Sequence, residues 1–185
     1  MLNRRDEPVK WQIADRFGHW TAQSAMRGWS QENVDCALGQ LDFDPLFDTE
    51  LGRIEKENFD RWHANAIQNI QRLELKDNNG NPKGTMPLGW AAKMIAMYLK
   101  TTCYLAGFGR ENLDNVIHPP IDNNLVRNLK NEFKGHPQLV QGLRAFGGIG
   151  GLSVVAYYAC IESCKRIADQ RACNLIEVDQ FWTST

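Results

Sequence analysis

Apolar residues along this chain return mostly at three- and four-residue intervals, the spacing of amphipathic helices rather than the alternation of strands. From Val9 to about Trp29, Trp11, Ile13, Phe17 and Trp20 recur in this way, with Lys10, Asp15 and Arg16 between them. Ser30 is placed to cap a short helix running through Val34 and Leu38, which Gly39 would end. Asp42 to Asp48, containing Pro45, reads as a turn-rich connector. A long amphipathic helix to about Leu73 follows. Leu51, Ile54, Phe59, Trp62, Ala66, Ile67 and Ile70 mark its apolar stripe, and Arg53, Lys56 and Arg61 its wet side.

The segment Lys76 to Lys83 crowds Asn, Gly and Pro together and reads as a loop. Beyond it, Gly89 to about Ala106 is apolar nearly all round, which places that helix at the centre of a domain. Lys93 and Lys100 are its only charges and, seven residues apart, share one narrow stripe. Gly107 to Asn115 is loop-like with room for a short helical turn. His118-Pro119-Pro120-Ile121 then runs extended, because each proline restricts its own backbone and that of the residue before it. Asp122 follows as the expected N-cap of a helix through Leu125, Val126, Leu129 and Phe133. A short helix is expected from Pro137 to Phe146, then a glycine-rich turn at Gly147–Gly151. A long helix from Ser153 to Ile167 comes next, and a tail that packs Ile176, Phe181 and Trp182 back on the core.

The expected fold is therefore all-α, a multi-helix globular domain of residues 1–185. If it subdivides, the parts are N-terminal helices within 1–75 and a second part within 85–185. Composition agrees: 43% of residues are hydrophobic, enough for a core without metals or disulfides at this length. No run of 18 apolar residues occurs, so no membrane-spanning helix is expected, and no secretion signal is visible. The five cysteines include no Cys-x-x-Cys pair, which points to reduced cytoplasmic thiols rather than a metal site. No metal or cofactor is expected.

The formal net charge of −1 argues against nucleic-acid binding by gross composition. Its distribution is uneven. Residues 1–84 hold 11 Lys and Arg against 14 Asp and Glu, while residues 85–185 hold 10 against 8. A phosphate-facing surface would therefore belong to the second part.

Two residues there invite a catalytic reading. Lys93, near the start of its helix, would be a nucleophile if it faced a cleft and were partly desolvated; a solvated stripe is the plainer reading. Asp122 as a helix cap is a rigid, ionised carboxylate, suited to stabilising developing positive charge, and the cap alone would also explain it. The bare backbone of Gly148-Ile149-Gly150 would let a phosphate approach, or would simply join two helices.

Pro120-Ile121-Asp122-Asn123-Asn124-Leu125-Val126-Arg127 resembles the aspartate segment of the helix-hairpin-helix superfamily of DNA glycosylases. Pro87-Leu88-Gly89-Trp90-Ala91-Ala92-Lys93 resembles, more loosely, that family's hairpin-and-lysine segment, with Ala91 where the second hairpin glycine falls. The resemblance covers about 50 residues and implies a helix-hairpin-helix-like element and a double-stranded DNA partner carrying a modified or damaged base. It also implies base excision after rotation of the nucleotide into a pocket. By that resemblance Asp122 and Lys93 are catalytic, Trp90 and His118 line the pocket, and Gly148, Gly150, Arg127 and Arg144 face DNA. Two other expectations stand beside it: a non-catalytic helical nucleic-acid-binding module, and a helical protein-interaction subunit.

Overall fold

A computed structural model describes residues 1–76 and 81–183, and within them the chain is mostly helical, as the hydrophobic spacing predicts. In order come α1 (Pro8–Ala25), α2 (Gln31–Gly39), α3 (Asp44–Phe47), α4 (Lys56–Gln71), β1 (Leu75–Lys76), β2 (Pro82–Gly84), α5 (Leu88–Leu99), α6 (Leu113–Val116), α7 (Asn123–Glu132) and α8 (Val154–Arg171). Of the loop expected at Lys76 to Lys83, Lys76 ends β1 and Pro82 and Lys83 begin β2, and the two strands pair antiparallel; residues 77–80 lie outside the described residues. No helix among the described residues is long and apolar enough to cross a membrane.

Local capping signals set several boundaries. The side chains of Ser30, Asp122 and Ser153 each accept backbone amide hydrogens at the first turns of α2, α7 and α8. Helix α5 is the central element, buried over most of its length and packed by α1, α4 and the glycine turn Ile149–Gly151. Its last turn widens into a π-helical segment, Lys100–Leu105. There the hydroxyls of Thr101 and Thr102 donate back to the carbonyls of Met97 and Tyr98, drawing those acceptors away from the regular ladder.

Three expectations are corrected by tertiary contacts. The long helix begins at Lys56 rather than near Leu51. Upstream, the buried guanidinium of Arg110 gathers the carbonyls of Pro45, Leu51, Gly52 and Arg53, and the Ile54 amide donates to Glu111. Backbone groups held in that way cannot enter a helical ladder. The helix expected over Pro137–Phe146 is a set of tight turns with a 3-10 segment at Gly142–Ala145. Gly142 presses on the α8 backbone so closely that a Cβ there would lie 1.9 Å from the Ala159 carbonyl oxygen, and its amide donates to Ser163 Oγ. Third, α1 packs through Ala14, Gly18 and Ala22, while Ile13, Phe17 and Trp20 point outward. Close approach to α5 selects the small residues: a Cβ on Gly18 would come within 2.9 Å of Tyr98 and Thr102 side-chain atoms.

Candidate active site

Helix α5 carries Lys93 to the start of α7, and the two meet: Lys93 Nζ lies 2.8 Å from Asp122 Oδ2. The same oxygen accepts a hydrogen bond from the Trp182 indole at 3.0 Å. The other, Oδ1, accepts the backbone amides of Asn124 and Leu125 at 3.0 and 2.9 Å. Extended backbone at Asp122, prepared by Pro119 and Pro120, is what lets one carboxylate cap the helix and reach the lysine. Burial alone would raise the Asp122 carboxyl. The hydrogen bonds from Lys93, Leu125 and Trp182, with the lysine's charge, outweigh it and hold the group below its ordinary range.

The pair lines a cavity of about 530 Å³, within the size range of small-ligand sites. Three tryptophans, Trp20, Trp90 and Trp182, share its lining, and the Lys93 ammonium lies 5.9 Å from the centre of the Trp90 ring. A second lysine–aspartate pair lines it too: Lys100, one heptad beyond Lys93, donates to Asp179 Oδ2. Asp179 Oδ1 is buried with no hydrogen-bond partner among the described residues. Burial pushes the Asp179 carboxyl upward despite Lys100, and the nearby charge of Asp122 adds to the rise. Thr21, Ser24, Arg27, Asn123 and Asn124 complete the polar part of the lining.

The residues expected at a site are thus distributed in three places. Lys93, Asp122 and Trp90 share the cavity. His118 does not line it. Its ring is buried under the prolines, with Nε2 3.0 Å from Asp60 Oδ1 and Nδ1 3.0 Å from the Tyr157 hydroxyl, which in turn lies 3.4 Å from His63 Nε2. Burial pushes both imidazoles down, the contact with Asp60 only partly offsetting this at His118. Arg127 is exposed on α7, where it donates to Asn124 Oδ1, and Arg144 is exposed on its 3-10 turn. Gly148 and Gly150 flank Ile149, which enters the cavity lining while they do not. Gly148 adopts a left-handed φ of 115°, a conformation open to glycine. The turn abuts the start of α5, where a Cβ on Gly89 would lie 2.2 Å from the Ile149 carbonyl oxygen.

Lys100, Asp179, Trp20, Arg27 and Trp182, the last expected to pack on the core, join the site without having been singled out for it in the sequence. The heptad of lysines on an apolar helix was the available signal for Lys100; nothing local marks Asp179, which arrives through the C-terminal 3-10 segment Leu175–Phe181. Among the described residues no group of three or more His, Cys, Asp or Glu could hold a metal ion. No protein-family model matches the chain, and neither curated proteins nor solved structures gave a match.

Proposed function

We propose that the chain is a DNA glycosylase that holds an everted nucleotide in the tryptophan-lined cavity and cleaves its glycosidic bond. One observation carries the reading: Lys93 and Asp122, 29 residues apart, form an ion pair in a cavity that three tryptophans also line. A base stacks on indole faces, and its sugar C1′ approaches the carboxylate. As the C1′–N bond breaks, its electron pair leaves with the base, which takes up a proton. The fixed negative charge of Asp122 stabilises the positive charge growing on the sugar. Water then adds to C1′ and gives up a proton, leaving an abasic site and free base. In the other variant of the chemistry, Lys93 gives a proton to the departing base as the C1′–N bond breaks, and its freed amine bonds C1′; transfer of a second proton from that nitrogen to O4′ as the C1′–O4′ bond opens leaves a Schiff base. Arg127 and Arg144, both exposed, serve as phosphate contacts, and the bare backbone of Gly148 and Gly150 lets a phosphate approach. The biological setting that suits such an enzyme is repair, or defence against phage DNA with modified bases.

The test is release of free base, or formation of abasic sites, from duplexes carrying normal, damaged and hypermodified bases. Asp122→Asn should abolish release while the protein stays folded; full activity in that variant would sink the mechanism. Borohydride trapping of a protein–DNA adduct, lost in Lys93→Met, distinguishes the lysine route from the water route. A helical interaction subunit is the second reading, favoured by the fact that both oxygens of Asp122 are already engaged. It predicts no product from any duplex and no affinity for DNA.

A further inference from the structure

Among the described residues, helix α1 carries a row of large apolar side chains left half or more open, the last of which, Trp20, also borders the cavity. Val9, Ile13, Phe17 and Trp20 are 70%, 65%, 52% and 57% exposed. At 100° per residue they fall within one 80° sector, opposite the face of Ala14, Gly18 and Ala22 that packs on α5. Phe17 and Trp20 are stacked, their ring centres 5.3 Å apart. We propose that this stripe is the seat of a two-fold homodimer in which α1 crosses α1 of a second copy antiparallel.

The area and the order of side chains both point to a second copy. With half or more of each of four large side chains open, the stripe presents on the order of 450 Å² of apolar surface. That is over half of the roughly 800 Å² per partner of a standard stable interface, leaving the polar flanks to supply the rest. An isologous contact must be self-complementary, and this row is. Centred between Ile13 and Phe17, the antiparallel crossing sets Ile13 against Phe17 of the other copy and Val9 against Trp20, a branched aliphatic side chain opposite an aromatic one each time. It also brings the exposed acids Asp6 and Glu7, at the start of α1, toward the end that leads to exposed Arg27. A lipid surface or a nucleic-acid backbone is a poorer occupant. From Arg4 to Arg27 there are five bases and three acids; Arg4 and Arg5 are paired with Asp44 and Glu50, and the remaining Lys10, Arg16 and Arg27 balance Asp6, Glu7 and Asp15, so the face has no basic surplus.

Sedimentation across a concentration series tests the contact on the full chain. The wild type should move from the 21.1 kDa chain mass toward twice that value as concentration rises into the tens of micromolar. Ile13→Glu with Phe17→Glu should weaken association by roughly a hundredfold or more, since two buried hot-spot positions are lost, with the helical circular-dichroism signal and melting curve of the monomer kept. Val9→Lys, at the most exposed of the four positions, reads the same contact alone should the double variant fold poorly. A wild type that stays monomeric throughout the series overturns the proposal. So does a dimer that survives both the double variant and Val9→Lys.

Discussion

The indole of Trp182 donates to the carboxylate that caps a helix 60 residues earlier, at 3.0 Å from Asp122 Oδ2. The C-terminal segment is thereby tied to the start of α7 at the same oxygen that Lys93 holds. Asp122 therefore has three duties at once, as cap, as counter-ion and as anchor for the tail. Removing its side chain exposes their combined worth.

Asp122→Ala should destabilise the fold by about 2–4 kcal/mol, because it deletes the cap and leaves a mostly buried ammonium without its partner. Asp122→Asn keeps the cap through its single amide oxygen but turns an NH2 donor toward the Trp182 indole and the Lys93 ammonium, and should cost about 1–2 kcal/mol. Urea denaturation of the three proteins measures the difference. Equal losses in the two variants would mean that the cap contributes nothing.

The Asp179 carboxylate is held at a disadvantage, with one oxygen buried and unpartnered and its pKa raised. A carboxyl raised on folding contributes its full stability at low pH and loses it as pH rises through the ordinary and then the folded value. At neutral pH, Asp179→Asn should accordingly leave stability within about 1 kcal/mol of wild type, on the stabilising side. The same variant should weaken occupancy of the cavity, followed by quenching of tryptophan fluorescence with adenine and cytosine as probes. A large loss of stability would show instead that the contact with Lys100 dominates.

Acid should act on this protein in two stages. His63 and His118 are pushed below the ordinary value of 6.5 by burial, so the folded state keeps them neutral where the unfolded chain binds protons. Their contribution is complete above about pH 6.5 and is lost as pH falls from there toward the folded values. Asp60 and Asp122 are both held below the ordinary carboxylate value. Their contribution is complete above roughly pH 4 and is lost as pH falls through the folded values. Urea midpoints should fall first as pH drops below about 6.5, then again below about 4. His63→Phe, which removes an imidazole whose Nδ1 has no partner, should shrink the first fall and spare the second. Midpoints that hold constant across the first interval would contradict this account.

Gly89→Ala places a methyl group 2.2 Å from a backbone carbonyl, which a flexible side chain cannot relieve. The glycine turn must move or α5 must shift, at about 2–3 kcal/mol. Gly150→Ala, where an added Cβ meets nothing within 4 Å, is the control and should be near neutral. Thermal melts of the pair decide whether the turn is seated on α5 as tightly as the contact distances require.

The caps at Ser30 and Asp122 were legible in the sequence because capping is local, a side chain meeting amides two or three residues away. The apolar character of α5 was legible for a similar reason, since burial on all sides leaves no polar face to write. The proximity of Lys93 to Asp122 was an expectation from resemblance, and only the packing of α5 against the start of α7 brings the two within 2.8 Å. Other features had no local mark at all. Which face of α1 turns inward was not fixed by hydrophobicity, because both faces are apolar; close approach to Tyr98 and Thr102 favoured the small residues over Ile13, Phe17 and Trp20. His118 stands four residues from Asp122, yet the extended prolines carry it to Asp60 and Tyr157, away from the cavity. Backbone propensity and capping act over a few residues and are written there. The partners of a side chain across 60 or 80 residues are settled by how helices fit together, and that depends on the whole chain.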